Sequence, residues 1–244
     1  MTNPKRRIVF VTGSRADFGL LVPVIDACRE RTEFITLVIA AGSHMLPPAE
    51  TWREVEDRYG LDTTVNMQIS GTTGRLADAE ALGKGTNGFA RAFARLGPDW
   101  VVVLGDRIEA FAGACAASVG GIALAHIHGG DRAEGIADEA MRHAITKLAH
   151  LHLPATIQSA ERIERMGEHS ARIHAVGSPA ADGLASVTPL GDEAFAELGS
   201  PEVVVLHHPT NESDDGEAAI IGAIAEAVGD RSHLWLDPNF DPGT

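Results

Sequence analysis

Short runs of apolar, mostly β-branched residues alternate along this chain with longer helical patterns, and this alternation constrains the fold most. The run at 100–104 is apolar at every position, which is typical of a strand covered on both faces. Such strands separated by helices predict a parallel sheet with right-handed crossovers, and therefore a doubly wound, Rossmann-like α/β domain. The predicted strands are 8–11, 34–40, 100–104, 121–125, 151–153 and 172–176. The predicted helices lie near 18–29, 108–118, 138–149 and 157–166.

The pattern changes after residue 180, where a stretch rich in Gly and Pro is interpreted as a linker with a short helix. We therefore predict two domains, 1–180 and 181–244. The second contains a new βαβ pattern, with strands at 203–206 and 233–236 and a helix near 217–228. Two strands and one helix have too little apolar surface for a stable domain. This piece is expected either to join the first sheet or to begin a larger domain that a C-terminally truncated chain does not complete.

The chain is acidic, with a formal net charge of -14 over 244 residues. This balance argues against nucleic acid as a partner, because its phosphates need clustered Lys and Arg, but not against a small phosphorylated ligand. Cys28 and Cys115 lie in separate apolar helical patterns and are expected to be free thiols, as in a reducing compartment. With no leader-like segment and no apolar window of spanning length, a cytoplasmic protein without a membrane partner is expected.

Polar residues collect directly after six of the predicted strands. In an open parallel sheet, ligands bind beyond the carboxyl ends of the strands, so these segments form the candidate site. Each segment has charged, His or Asn side chains beside Gly or Pro. They are 13–19, 42–44, 105–107, 126–131, 207–210 and 238–239.

The segment after the first strand opens a helix and contains Arg15. Backbone N–H groups at a helix start, together with a guanidinium, suit a phosphate oxygen. The alternative is a helix cap, because Ser14 and Asp17 have the spacing of a capping box. Both interpretations can hold together. The segment lacks the GxGxxG pattern of a dinucleotide site.

Asp106 follows the most apolar strand and is a candidate general acid or base. The alternative is a structural ion pair with its neighbour Arg107.

His126 and His128 alternate at the end of the next strand, a spacing that a metal site also uses. No carboxylate or thiol nearby completes a usual ligand spacing, so no metal is expected. His126 by itself is equally compatible with a hydrogen-bonded core histidine.

In the helix predicted from residue 138, Asp138, Arg142 and Thr146 share one face. If that face lines the cleft, Asp138 at the helix N-terminus suits acceptance of a proton. The alternative is a salt-bridged, solvated surface.

His208 lies just beyond a predicted buried strand of the second unit. It suits a group that faces the first unit across a cleft, or it is an ordinary loop histidine.

Together these segments resemble the hydrolysing UDP-N-acetylglucosamine 2-epimerases, in the branch that serves synthesis of sialic-acid-type sugars. The resemblance runs through essentially the whole chain in order. It is carried by TGSRADFGLL at 12–21, GSH at 42–44, LGDR at 104–107, HIHGGD at 126–131, DEAMRHAITKL at 138–148, VGSP at 176–179, HHP at 207–209 and PN at 238–239.

The resemblance implies a two-domain, glycosyltransferase-B-like fold with the site between the domains, and a homodimer that needs no metal or other cofactor. It implies elimination of UDP from UDP-N-acetylglucosamine to give a glycal, and then addition of water to release N-acetylmannosamine. Three alternatives stay open: the same chemistry on UDP-N,N'-diacetylbacillosamine, an inactive nucleotide-sugar-binding protein, and a glycosyltransferase of the same fold.

The resemblance also implies roles for single residues. The residues that match substrate contacts of the family are Arg15, Gly19, Arg107, His208 and Asn239. Those that match residues implicated in catalysis are His44, Asp106, Asp138 and Arg142. Some family members have Glu where this chain has His128, so that role is expected to pass to His128, to pass to Asp131, or to be lost. Family members continue beyond residue 239 through a diphosphate-binding loop, so a truncated chain is expected.

Overall fold

The computed structural model describes residues 4–132, 138–208 and 213–238, apart from the side chains of Asp138 and Asp214. The chain divides into two compact units, the first ending at Asp182 and the second beginning at Gly183. Within the described residues, no helix is long and apolar enough to cross a membrane.

The first unit is built on a six-stranded sheet in which all neighbouring strands pair in parallel. Its strands are β1 (Arg6–Thr12), β2 (Phe34–Ala41), β3 (Thr63–Val65), β4 (Trp100–Leu104), β5 (Ala123–Ile127) and β6 (Leu151–Leu153). Their order across the sheet is β3-β2-β1-β4-β5-β6. The direction of winding reverses between β1 and β4, and ligands of such sheets bind at the carboxyl ends of strands at this position.

Helices cover both faces of this sheet, as the apolar strands predict. They are α1 (Arg15–Arg29), α2 (Trp52–Tyr59), α3 (Arg75–Leu96), α4 (Ile108–Val119), α5 (Asp138–Leu148) and α6 (Ile157–Arg165). Successive residues of β1 point to opposite faces. Phe10 packs in a buried cluster with Leu21 and Ile25 of α1, whereas Val9 and Val11 pack in a second cluster with residues of α3 and α4. The predicted doubly wound α/β domain is confirmed.

One predicted strand, 172–176, is wrong. A short 3-10 turn occupies Ser170–Arg172, and only Ile173 forms a bridge, with His152 of β6. The backbone beyond it still runs beside β6, since the N–H of His174 donates to the carbonyl of His152. The ladder stays short because β6 has three residues and is followed by Pro154, which has no N–H to donate.

The structure adds three elements, α2, β3 and α3, between residues 45 and 99, where the sequence analysis predicted none. Helix α3 contains Gly83, Gly85 and Gly88, and glycine is a poor helix former, which hides the helical pattern. Two of these glycines allow close packing. A Cβ at Gly85 would lie 2.5 Å from the Met67 side chain, and one at Gly88 2.6 Å from Val65.

The second unit contains α7 (Asp192–Glu197), β7 (Val203–Leu206), α8 (Asp214–Val228) and β8 (His233–Leu236). Strands β7 and β8 pair in parallel with each other in a separate two-stranded sheet. The alternative in which this piece joins the first sheet is therefore wrong for the described residues. The sheet leaves apolar side chains exposed, such as Val204 and Leu206.

Candidate active site

The loop after β1 begins α1 with a capping box. The Asp17 carboxylate accepts hydrogen bonds from the backbone N–H of Gly13 (2.9 Å) and of Ser14 (2.6 Å), while Ser14 caps the first turn. Burial raises the pKa of Asp17, and these hydrogen bonds and the nearby Arg107 oppose that rise. The helix-cap interpretation of this segment is confirmed.

Arg15 and Gly19 lie exposed on the same helix. They line a surface hollow of about 430 Å³ that is completed by residues of α1 and α2, among them Phe18 and Arg58. Neither Asp106 nor Arg142 lines this hollow. The structure therefore places Arg15 just beyond the end of β1, in a hollow that the acidic residues described below do not line.

The loop after β2 buries His44 completely. Its Nε2 lies 2.9 Å from the Thr12 hydroxyl and its Nδ1 lies 2.7 Å from the Thr51 hydroxyl. Burial lowers the pKa of His44 to about 4, so the imidazole is neutral at neutral pH. An imidazole that is buried and hydrogen-bonded on both sides is placed to hold the ends of β1 and β2 together rather than to reach a ligand.

The two side chains that follow β4 point to different partners. Arg107 extends toward the loop after β2, where its Nη2 lies 3.5 Å from the Ser43 hydroxyl, and its Nε lies 3.5 Å from Oε2 of Glu109 in α4. Asp106 instead forms an ion pair with Arg142 of α5. The alternative raised for Asp106, an ion pair with Arg107, is wrong, because α5 supplies the guanidinium.

Arg142 is the centre of an acidic cluster at the carboxyl ends of β4 and β5. One of its terminal nitrogens contacts Asp106, and the other lies 3.8 Å from Asp131 Oδ2. The Arg142 side chain is 14% exposed and that of Asp106 16% exposed, so this pair is largely withdrawn from water. One cation thus compensates two carboxylates from neighbouring strand ends.

Helix α6 fixes the Asp131 side of the cluster. The Ser159 hydroxyl donates to Asp131 Oδ1 at 2.5 Å, and Arg162 donates to the carbonyl of Gly130. Gly130 has a φ of +77°, and a Cβ there would collide with the backbone carbonyl of Ser159. This loop therefore needs glycine at 130 to bring Asp131 against α6 and α5.

The two histidines at the end of β5 differ in environment. His126 is buried, with Nε2 2.7 Å from the carbonyl of Gly105 and Nδ1 3.1 Å from the Thr146 hydroxyl. It is the hydrogen-bonded core histidine that the sequence allowed. His128 has a left-handed φ of +61°, and its buried Nε2 has no hydrogen-bond partner among the described residues. Burial lowers the pKa of His128, an effect that the nearby Asp131 opposes.

The sequence allowed the polar face of α5 either to line the site or to be a salt-bridged, solvated surface, and the burial of its side chains distinguishes the two. Thr146 is buried and Arg142 nearly so, so the solvated-surface alternative is wrong for this face. The next face carries the surface pairs His143–Glu139 and Lys147–Glu168. Asp138 is the first residue of α5, but its side chain lies outside the described residues.

Two of the predicted substrate contacts belong to the second unit. His208 follows β7 and is exposed, and its neighbour His207 pairs with Glu217 of α8 at 3.0 Å. Asn239 lies outside the described residues. No group of three or more His, Cys, Asp or Glu in the described part of the chain is arranged to hold a metal ion.

Several residues that build this edge of the sheet were not predicted from the sequence. They are Thr12, Thr51, Gln68, Glu109, Ser159 and Arg162. One signal was available for Glu109, a carboxylate among small apolar residues in the first turn of α4. The others are ordinary polar residues whose importance depends on tertiary contacts.

A protein-family model described as UDP-N-acetylglucosamine 2-epimerase matches residues 26–236. The chain belongs to this family. It is 35% identical over 248 residues to a UDP-N-acetylglucosamine 2-epimerase of Neisseria meningitidis and 31% identical over 250 residues to a UDP-N,N'-diacetylbacillosamine 2-epimerase (hydrolyzing) of Legionella pneumophila. It is also 30% identical over 249 residues to the polysialic acid biosynthesis protein P7 of Escherichia coli.

These matches cover 98% of this chain but only 64%, 65% and 63% of the three relatives. The chain therefore spans less than two thirds of the length of these curated relatives.

Solved structures of family members share the fold. The Neisseria meningitidis UDP-GlcNAc 2-epimerase bound to UDP-GlcNAc has a TM-score of 0.77 at 18% identity, covering 97% of this chain and 67% of that one. The Methanocaldococcus jannaschii enzyme in complex with UDP-GlcNAc and UDP also has a TM-score of 0.77, at 20% identity, covering 98% and 67%. The fold is that of glycosyltransferase-B-like family members, as predicted.

Proposed function

We propose that the protein is a hydrolysing UDP-N-acetylglucosamine 2-epimerase, which converts UDP-N-acetylglucosamine and water to N-acetylmannosamine and UDP. The observation that carries the proposal is the Arg142 guanidinium in contact with both Asp106 and Asp131 at the carboxyl ends of β4 and β5. The family match of the chain supports the nucleotide sugar as substrate.

The reaction has two stages. In the first, a base takes the proton from carbon 2 of the sugar, the electrons of that C–H bond form the double bond between carbons 1 and 2, and UDP leaves with the electron pair of the bond to carbon 1. In the second, the oxygen of water bonds to carbon 1, its proton passes to a base, and an acid protonates carbon 2 from the opposite face. Both stages need positioned acid–base groups and cations for the departing diphosphate.

The acidic cluster supplies the first requirement. We assign the proton transfers to Asp106, Asp131 and His128, together with Asp138 at the start of α5. Arg142 holds the two carboxylates of Asp106 and Asp131 in a fixed geometry. Because burial lowers the pKa of His128, its imidazole is neutral at neutral pH, and its Nε2 has no hydrogen-bond partner among the described residues, which suits acceptance of a proton.

The cations and polar groups around the nucleotide supply the second requirement. We assign contacts with UDP to Arg15, Gly19, Arg107, His208 and Asn239. Arg107 extends from the end of β4, beside the position where the winding of the sheet reverses, which suits a diphosphate bound there. We do not assign a proton transfer to His44. Its hydrogen bonds with Thr12 and Thr51 support a role in holding the strand ends in place.

A second candidate substrate is UDP-N,N'-diacetylbacillosamine, which would undergo the same two stages. It is favoured by the 31% identity to the Legionella pneumophila enzyme, close to the 35% identity to the Neisseria meningitidis enzyme. The two substrates differ in the groups on the sugar, while the diphosphate and carbon 2 chemistry are shared.

The proposal is tested by incubating the protein separately with each nucleotide sugar and measuring UDP and the released sugar. Equal amounts of UDP and N-acetylmannosamine from UDP-N-acetylglucosamine are expected, and Asp106→Asn is the control for site-dependent turnover. Release of unepimerised N-acetylglucosamine, transfer of the sugar to an acceptor, or binding without turnover would each contradict the proposal. Turnover of the bacillosamine derivative alone would move the assignment to that substrate.

A further inference from the structure

A buried carboxylate, Glu109, lies next to Arg107 and has no part in the chemistry assigned above. It is in the first turn of α4 and is 1% exposed. Its Oε1 accepts hydrogen bonds from the backbone N–H of Ser43 (3.1 Å) and from the Gln68 amide (2.7 Å), and its Oε2 lies 3.5 Å from Arg107 Nε. One side chain thus contacts the segments that follow β2, β3 and β4.

The backbone of Gly13 and Gly42 packs closely against the Glu109 side chain. A Cβ at Gly13, which follows β1, would lie 2.6 Å from Glu109 Cβ. A Cβ at Gly42, which follows β2, would overlap the Glu109 carboxylate, and Gly42 has a left-handed φ of +57°. The Glu109 side chain therefore fits only because both neighbouring strand ends have glycine; a side chain at position 13 or 42 would collide with it.

Burial of a carboxylate is costly unless its charge and its oxygens find partners. An apolar residue would fill the space without that cost, so packing alone does not account for Glu at 109. The Oε1 of Glu109 has two hydrogen-bond donors, the Ser43 N–H and the Gln68 amide. Its Oε2 has no hydrogen bond among the described residues and faces the charge of the Arg107 guanidinium. The loop of Ser43 is in turn tied to β1, because the Ser43 hydroxyl donates to the carbonyl of Gly13 at 2.6 Å.

We propose that Glu109 is a positioning residue that orients Arg107 for the diphosphate of the substrate. The Glu109 carboxylate faces Nε of Arg107 as an ion pair at 3.5 Å, without a hydrogen bond between these two atoms, while Nη2 of Arg107 lies 3.5 Å from the Ser43 hydroxyl. It acts through Arg107 and does not touch the substrate. This inference rests on the proposed function, in which Arg107 binds UDP.

The test is the substitution Glu109→Gln, which keeps the shape and the Oε1 acceptor but removes the charge that faces Arg107. The Kd for UDP, measured by calorimetry, and the KM for UDP-N-acetylglucosamine are expected to rise about tenfold, the lower end of what loss of a supporting partner costs at metal sites. The kcat is expected to change by less than about threefold, because the acidic cluster around Arg142 is untouched.

Asp99→Asn is the matched control. The Asp99 carboxylate also accepts a backbone N–H, from Arg7 at 2.8 Å, and pairs with an arginine, Arg6, at 2.9 Å. It directly precedes β4, at the opposite end of the strand from Arg107. This control is expected to leave the Kd for UDP and the KM unchanged.

A structural role and a positioning role of Glu109 predict different losses of UDP affinity when Glu109→Gln is combined with Arg107→Gln. If Glu109 acts through Arg107, Glu109→Gln adds no further loss of UDP affinity there. Equal losses in both backgrounds, or wild-type UDP affinity in Glu109→Gln, overturn the proposal while leaving the proposed function intact. If Glu109→Gln does not fold, Gln68→Leu removes a donor to the same carboxylate, and an unchanged Kd for UDP in that variant also overturns it.

Measurements on the wild-type protein distinguish failure of the proposed function from failure of the positioning role of Glu109. UDP binding without epimerase turnover contradicts the proposed function, and the Glu109 comparison then still decides the positioning role by Kd alone. Absence of UDP binding by the wild-type protein overturns both.

Discussion

His126 lies in the middle of the first unit, and its burial makes the stability of the fold depend on pH. Burial is the largest influence and lowers the pKa of His126 to about 3, from 6.5 for an exposed histidine. Between these two values the unfolded chain binds a proton that the folded chain does not. The contribution of this group to the free energy of unfolding is therefore complete above pH 6.5 and is lost as the pH falls toward 3.

The size of the effect follows from the shift. Each pH unit below 6.5 removes about 1.4 kcal/mol, so acidification from pH 7.5 to pH 5 removes about 2 kcal/mol through His126. His44, whose pKa is lowered to about 4, removes a similar amount over the same interval. These contributions are a large part of the marginal stability of a domain.

Urea unfolding measures this dependence at a series of pH values, followed by fluorescence in a Trp235→Phe background, where the remaining Trp52 and Trp100 both lie in the first unit. His126→Gln removes the titrating group, and its unfolding free energy is expected to fall by about 2 kcal/mol less than that of the wild type between pH 7.5 and pH 5. His174→Gln, at an exposed position, is the matched control for loss of an imidazole. An identical pH dependence in His126→Gln and the wild type would mean that His126 takes up a proton equally in the folded and unfolded states, which contradicts a lowered pKa in the fold.

Two further predictions concern the site and its scaffold. Asp106→Asn is expected to lower kcat by about two orders of magnitude or more, as for a general acid or base, while the Kd for UDP is retained; wild-type kcat would remove Asp106 from the mechanism. Ser14→Ala is expected to lower the free energy of unfolding by about 1 kcal/mol in urea titrations, because it removes the N-cap of α1. Ser118→Ala, in the last turn of α4, is its control, and equal losses in both variants would contradict a capping role.

The strands of the first unit were predictable because each central strand is apolar on both faces. The residues 100–104 predicted β4 with its observed bounds, and 151–153 predicted β6. The segment between 45 and 99 was not predictable, since glycines within α3 are used for close packing and interrupt the helical pattern. The strand predicted at 172–176 failed because pairing depends on its neighbour, and β6 ends at Leu153.

The clustering of candidate residues at the carboxyl ends of the strands was also predictable, but the pairing of their charges was not. Strand ends predicted that Asp106, Asp131 and Arg107 lie along one edge of the sheet. Which arginine pairs with Asp106 depends on where α5 packs, and the structure brings Arg142 rather than the adjacent Arg107. The burial of His44 depends in the same way on Thr12 and Thr51, which no local pattern connects.

The most direct test of the proposed chemistry is the reaction with UDP-N-acetylglucosamine in deuterium oxide, with the released sugar examined by NMR. If groups at the carboxyl ends of β4 and β5 remove the proton from carbon 2 and a solvent-exchanged acid returns one to the opposite face, the product is N-acetylmannosamine carrying one deuterium at carbon 2. Release of UDP together with a sugar that keeps its original hydrogen at carbon 2 would contradict the account.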